Sequence, residues 1–334
     1  MRSEVGKAAE EGFGVLDASG GSEVKWVSSG SDASEVERVS DASDMEKLSG
    51  TLMAEPDVEN TRREAERSII KQYRSDLWSR FTRAVNQYGL ICQGDRIAVC
   101  VSGGKDSFLM AKLFQELYRH GERNFEPVYL TMDPGYNDLN RRKVEENANL
   151  LGIELIRFRS PIFEIVDSGE QSPCYPCARM RRGALYSHAK ELGCNKIALG
   201  HHYDDVIETI LMGMLYGGQI QTMMPKLHSV NFQGMELIRP MYLIREESII
   251  KWAKHNGLEF IKCACSLTNG LKDDGDGGKR AEIKALIRKL HEVNPYTEAN
   301  IFKSVENVNL ATIIAYKKDG EYHHFLDDYA HKKQ

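Results

Sequence analysis

Apolar positions along this chain alternate between two kinds of run. Short continuous runs such as Ile97-Ala98-Val99-Cys100-Val101 are the mark of buried strands. Longer segments space their apolar residues three and four apart, the mark of helices with one buried face. Strands are expected at 96–101, 126–132, 153–158 and 196–200. A short apolar stretch at 236–239 adds a fifth or lies in an insertion. Helices are expected at 106–119, 138–151, 175–192, 204–216, 246–256, 280–292 and 298–309. Upstream, residues 62–89 carry another helical pattern through Ile69, Ile70, Tyr73, Leu77, Phe81, Val85 and Tyr88. This alternation predicts an α/β fold: a doubly wound, mostly parallel sheet with helices on both faces. Such sheets bind ligands at the carboxyl ends of their strands.

Composition changes the picture at the amino terminus. Residues 1–60 are rich in Ser, Gly, Asp and Glu, and hold fourteen acidic and five basic side chains. They lack a sustained apolar period and are expected to form a disordered acidic tail. The whole chain of 334 residues carries a net charge of −5. Without the tail, residues 61–334 are mildly basic at +4, which permits an RNA partner. No apolar run follows the start, so no signal peptide is expected. No run of about eighteen apolar residues occurs, so no membrane span is expected. A cytoplasmic location follows. Seven cysteines in such a chain point to metal or sulfur chemistry more than to disulfides. Asp273-Asp274-Gly275-Asp276-Gly277-Gly278 reads as a flexible loop.

The first chemical motif is Ser102-Gly103-Gly104-Lys105-Asp106-Ser107. It sits between an expected strand and an expected helix, a geometry that aims backbone N–H groups and a helix N-terminus at a phosphate. The two glycines let the backbone approach the anion. Lys105 adds a mobile positive charge, and Ser102 and Ser107 add hydroxyls. The common P-loop pattern is excluded, because Val99 and Asp106 stand where it needs Gly and Ser or Thr. The string resembles instead the loop of the PP-loop ATP pyrophosphatases. That family cleaves ATP between its α and β phosphates and activates a substrate by adenylation.

The second motif is Cys174-Tyr175-Pro176-Cys177, followed by Arg179, Arg181, Arg182 and Gly183, with Cys263-Ala264-Cys265 much later. A C-x-x-C pair serves as a redox pair, half a zinc site or part of an iron–sulfur cluster. The tight Cys-x-Cys spacing ranks zinc lower. Three cysteines on a cubane cluster leave one iron open for sulfur. Cys92, Cys100 and Cys194 are expected to be buried small hydrophobes.

Together these motifs resemble the tRNA 2-thiocytidine synthetase family, the tRNA-cytidine(32) 2-sulfurtransferases. The likeness extends through Lys196-Ile197-Ala198-Leu199-Gly200-His201-His202, Asp204-Asp205, Tyr216-Gly217-Gly218, Pro225-Lys226-Leu227 and Ile238-Arg239-Pro240, over roughly residues 65–310. Two departures stand out: the acidic tail is extra, and the late segment is Cys-x-Cys where the family commonly has Cys-x-x-Cys. Relatives that make 2-thiouridine carry N-terminal zinc-binding cysteine pairs. This chain has no cysteine before Cys92. Lysidine-forming relatives lack the C-x-x-C.

The resemblance implies a PP-loop domain at 96–262, between a helical segment at 61–95 and a C-terminal cysteine and helical segment at 263–334. It implies ATP, Mg²⁺ and a [4Fe–4S] cluster as cofactors. The cluster ligands would be Cys174, Cys177 and Cys265, with Cys263 the alternative third. Ser102 to Ser107, Asp133, Gly200 and His201 would meet the nucleotide. Lys105, Asp106 and Asp205 would carry catalysis, Asp106 as a Mg²⁺ ligand or a helix cap. Arg179, Arg181, Arg182 and Lys226 would contact RNA, with Arg239 a further candidate. The implied partners are tRNA, a sulfur donor (a cysteine desulfurase or free sulfide) and a second copy in a homodimer. Two alternatives stay open at this point. One is a PP-loop enzyme thiolating another tRNA base or a small substrate. The other is a non-catalytic nucleotide-binding protein with structural zinc.

Overall fold

A computed structural model describes residues 55–121, 124–160, 174–261, 278–327 and 329, with 55–57 and 174–179 described by backbone alone. These residues fall into two compact units. The larger lies within Asp32–Val206 and Met224–Asp276, and the smaller within Ile207–Met223 and Gly277–Gln334.

The larger unit opens with α1 (Glu55–Ile70), a π-helical turn at Arg74–Trp78 and α2 (Ser79–Gln87). Ile69, Leu77, Phe81 and Val85 are all buried, as their spacing predicts. Then follow β1 (Arg96–Cys100), α3 (Lys105–His120), β2 (Glu126–Asp133), α4 (Asp138–Leu151), β3 (Ile156–Arg159), α5 (Cys174–Glu191), β4 (Lys196–Ala198), the start of α6 (Tyr203–Gly217), β5 (Lys226–His228), β6 (Glu236–Ile238) and α7 (Glu246–His255). The sheet order is β3-β2-β1-β4-β6-β5, parallel throughout except for β5, which pairs antiparallel with β6. The order reverses between β1 and β4. That crevice is where doubly wound sheets bind their ligands. The apolar stretch near 236 is therefore a sheet strand, and β5 is an edge strand that the sequence pattern did not announce.

One boundary differs for a clear reason. The third strand was expected from residue 153, but Ile153 closes α4. Its N–H bonds the Ala148 carbonyl at 2.8 Å, and the Gly152 N–H bonds that of Asn149 at 3.1 Å. Gly152 has φ +62, the left-handed residue of a Schellman cap, and buried Ile153 is the hydrophobic contact that accompanies it.

One face of the sheet is packed by Ala98, Cys100, Val128, Leu130, Ile197 and Leu237 against Tyr186 and Ala189 of α5. Cys100 and Cys194 are buried as expected, and burial pushes the Cys100 thiol up to about 12. Cys92 is exposed instead, because it sits in the polar turn that Asp95 holds by accepting its N–H at 2.6 Å. Asp95 also pairs with buried Lys196 at 2.8 Å, which reaches Glu236 at 3.1 Å. This network pins the amino ends of the strands, leaving the carboxyl ends for chemistry.

The smaller unit holds the body of α6, α8 (Lys279–Val293), α9 (Thr297–Ser304) and a hairpin of β7 (Ala315–Lys318) and β8 (Glu321–His324). Within it, buried Glu208 pairs with Arg280 at 3.2 Å and with Lys284 at 3.6 Å. The last helix stops short of the expected residue 309. Among the described residues no helix is long and apolar enough to cross a membrane. The acidic tail was expected over 1–60, but residues 55–60 instead open α1, where Glu59 pairs with Arg62 and Arg63 one turn on; residues 1–54 and most of the 273–278 loop lie outside the described residues.

Candidate active site

Two loops flank the switch point, one after β1 and one after β4. The first is built by serine and glycine geometry. Ser107 Oγ accepts the Ser102 N–H at 3.1 Å and donates to the Gly104 carbonyl at 2.9 Å. Gly103 takes φ +90. A Cβ there would lie 2.5 Å from Ile261 Cδ1 and 2.8 Å from Val144 Cγ2. Gly104 is the N-cap of α3 and gives no side-chain cap. The first N–H groups of that helix have no carbonyl within it, so they form an anion-receiving end.

Lys105 opens α3 with its Nζ 3.2 Å from the Asp106 carboxylate and 3.1 Å from Glu246 Oε1. Burial alone would lower the ammonium's pKa, but Asp106 and Glu246 outweigh it and hold it above its usual value. Asp106 is thus an ion-pair partner as well as an acidic residue in the first turn, where it favours the helix dipole.

The second loop runs from Leu199 into α6. Gly200 passes so close to α3 that a Cβ would already touch the Asp106–Ser107 backbone at 3.4 Å. His202 is buried, with Nε2 3.9 Å from Asp106 and 3.5 Å from Asp205, and Nδ1 3.7 Å from Asp204. The carboxylates are fixed by backbone. Asp205 accepts the His202 N–H at 3.0 Å, a capping contact at the start of α6. Asp204 accepts the Glu246 N–H at 2.6 Å and pairs with Arg245 at 3.1 Å. His201 is half-buried beside them.

Asp133 is buried at the end of β2. It accepts N–H groups from Gly135 at 3.0 Å and Tyr136 at 2.7 Å, and pairs with Arg141 at 2.9 Å. Burial opposes its charge, but these three partners hold it below the usual carboxylate range. The Tyr136 hydroxyl donates to the Ser102 carbonyl at 3.1 Å, so Asp133 shapes the phosphate loop from beneath.

Sequence reasoning placed Lys105, Asp106, Asp133, Gly200, His201 and Asp205 here, and all lie at the carboxyl end of the sheet. It missed Glu246 and Arg245, whose approach from α7 has no local sequence signal. It set His202 and Asp204 at the same strand end without giving them a role, and His202 is the ring on which three carboxylates converge.

The other candidates lie around this centre. Cys174 and Cys177 stand in the first turn of α5, three residues apart, a spacing that puts them on one helix face. The side chains of Cys174, Cys177 and Arg179, and all of Cys263 and Cys265, lie outside the described residues. Arg181 and Arg182 are half-buried on α5. Lys226, on the edge strand, donates to the Gly89 carbonyl at 3.1 Å and lies 3.7 Å from Glu236. Among the described residues no group of three or more His, Cys, Asp and Glu side chains is arranged to hold a metal.

The family model of the PP-loop domain matches residues 74–269. A tRNA-cytidine(32) 2-sulfurtransferase of Geotalea daltonii is 35% identical over 234 residues, covering 69% of this chain and 90% of that protein. The chain belongs to the tRNA-cytidine(32) 2-sulfurtransferase family of PP-loop proteins. A second family member, tRNA-cytidine(32) 2-sulfurtransferase 1 of Francisella philomiragia, is 37% identical over 232 residues, 68% of this chain and 87% of its own. Among solved structures, the U34-tRNA thiolase NcsA from Methanococcus maripaludis with its [4Fe-4S] cluster superposes with a TM-score of 0.52. It is 20% identical and covers 75% of this chain and 78% of its own, a likeness of fold. Family membership matches the phosphate loop at the switch point.

Proposed function

We propose that this protein is an ATP-dependent tRNA sulfurtransferase that activates the C2 oxygen of cytidine 32 and replaces it by sulfur, giving 2-thiocytidine. One combination carries the reading. The Ser102–Ser107 loop opens the switch point, and the C-x-x-C helix feeds the neighbouring strand, in a chain about a third identical to tRNA-cytidine(32) 2-sulfurtransferases.

The oxygen of a pyrimidine carbonyl is a poor leaving group, so it is first adenylated. The C2 oxygen attacks the α-phosphorus of ATP, and the bond from that phosphorus to the bridging oxygen breaks. Pyrophosphate leaves with the electron pair. The N–H groups at the start of α3 and the Lys105 ammonium stabilise that departing charge. Glu246 and Asp106 keep Lys105 protonated and aimed. Gly200 lets the β4 loop close on α3, so that His201 and the His202–Asp205 cap border the same phosphates. Mg²⁺ carried by ATP requires only one or two carboxylates besides phosphate oxygens, and Asp106 and Asp205 would supply them.

Sulfur then attacks C2, the C2–O bond breaks, and AMP leaves. Cys174, Cys177 and Cys265, or Cys263 as the third ligand, would hold a [4Fe–4S] cluster, which would supply a binding place for the sulfur to be transferred. The paired cysteines on one face of α5 fit such a group. Arg179, Arg181 and Arg182 follow on the same helix and would meet RNA phosphates. The sulfur donor is free sulfide, or a cysteine desulfurase whose persulfide sulfur is brought to the sulfide level by a two-electron thiol reductant, and the reaction belongs in the cytoplasm.

Product analysis tests the first half-reaction. With tRNA and sulfide present, ATP is expected to give AMP and pyrophosphate. ADP and phosphate, or turnover indifferent to tRNA, would overturn the proposal.

A further inference from the structure

The β7–β8 hairpin of the smaller unit is a bare ribbon. It lies past residue 269, where the PP-loop family model stops, and past the span of roughly residues 65–310 over which the sequence resembles the family. Neither strand is packed closely on another described element. A two-stranded ribbon alone is marginally stable in water. This one nevertheless holds its rings in the open: Tyr322 is 63% exposed and Tyr316 36%.

Register sorts the ribbon into two faces. Tyr316 stands opposite His323, and Lys317 opposite Tyr322. Side chains directly opposite share a face, as do residues two apart on one strand. One face therefore carries Lys317, Tyr322 and His324, and the other carries Tyr316, Lys318, Glu321 and His323. On the second face the Tyr316 and His323 rings stack on each other at 4.8 Å, and Glu321 stands opposite Lys318. The first face is not closed in this way. Its Tyr322 and His324 rings are near parallel, at 24°, with centroids 6.3 Å apart. Lys317 is exposed and has no ion-pair partner among the described residues.

We infer that the face of Lys317, Tyr322 and His324 is a stacking platform for unpaired RNA bases, with Lys317 meeting the adjoining phosphate. Naming RNA rests on the tRNA substrate proposed above. Charge and composition select it over a protein partner. The cores of protein interfaces are depleted in lysine, and here a lysine lies directly across the ribbon from the exposed Tyr322 ring. Aromatic faces stack on any base, and a neighbouring cation follows the backbone. Single-stranded loops, whose bases splay out, are the RNA elements that such a surface reads.

Equilibrium binding on the full chain tests this, with tRNA, an oligouridylate and a blunt RNA duplex at one fixed salt concentration. Tyr322→Val removes the ring and keeps a strand-forming residue, and Tyr322→Phe keeps the ring. Tyr322→Val is expected to weaken oligouridylate and tRNA about tenfold and to leave the duplex within about twofold. Tyr322→Phe is expected to bind all three as wild type does. Lys317→Gln is expected to weaken oligouridylate several-fold and to flatten its log–log salt dependence by about 0.7. Unchanged binding of oligouridylate and tRNA in Tyr322→Val would overturn the platform, as would an equal loss for the duplex or the same loss in Tyr322→Phe. A changed oligomeric state of Tyr322→Val in sedimentation, with RNA binding intact, would assign the face to a protein partner instead. Wild-type protein that binds none of the three RNAs would overturn the tRNA reading itself, and the platform with it.

Discussion

The Ser107 hydroxyl bridges the phosphate loop to itself, accepting the Ser102 N–H and donating to the Gly104 carbonyl. A hydroxyl that looks from sequence like a phosphate ligand thus also holds the loop in shape. Ser107→Ala is expected to cost about 1 kcal/mol of stability. It is also expected to raise the KM for ATP several-fold. Thermal denaturation with and without ATP checks both: the stability loss should persist without nucleotide.

Gly103 combines a left-handed backbone with a crowded neighbourhood. Gly103→Ala is expected to destabilise by about 1–3 kcal/mol through the strained backbone. Its new methyl would also press on Ile261 and Val144. Adding Ile261→Val should recover only the steric part. Full recovery in denaturant titrations would show that the backbone strain is unimportant.

The low pKa of Asp133 has a stability consequence of definite sign. Its folded value lies below the ordinary 3.8. Its contribution is therefore present above pH 3.8 and is lost as the pH falls through the lower folded value. Asp133→Asn should cost about 1–3 kcal/mol at neutral pH. It should also flatten the stability curve below pH 4, relative to wild type, in denaturant titrations.

Much of this was legible in the sequence because strand and helix periodicities are local. The six-residue loop, the switch-point sheet and the placement of Asp133, His201 and Asp205 follow from strand ends and turn chemistry. The miss at β3 has the same local origin, since Gly152 writes a helix cap where apolarity alone reads strand. The hairpin was legible and unread: Asp319 and Gly320 take φ 52 and 84, the two-residue turn that Asp-Gly favours. Contacts such as Glu246 with Lys105 join residues 141 positions apart and depend on how α7 packs, which no local pattern encodes.

Lys105 is the cation placed to meet developing phosphate charge. Lys105→Met is expected to lower kcat/KM for pyrophosphate release at least a hundredfold, or ~3 kcal/mol of transition-state stabilisation. Binding of tRNA should stay within about twofold. Glu246→Gln, which removes one partner of the ammonium, should show a smaller loss in the same direction. Steady-state kinetics of pyrophosphate release separate the two.

The decisive measurement is nucleoside analysis of tRNA after anaerobic incubation with ATP, sulfide and either wild-type protein or Cys174→Ala. The expected result is 2-thiocytidine from wild type and none from the variant, with both proteins still binding ATP. Absence of 2-thiocytidine from wild type, or an equal yield from Cys174→Ala, would contradict a sulfur transfer that joins the phosphate loop to the cysteines of α5.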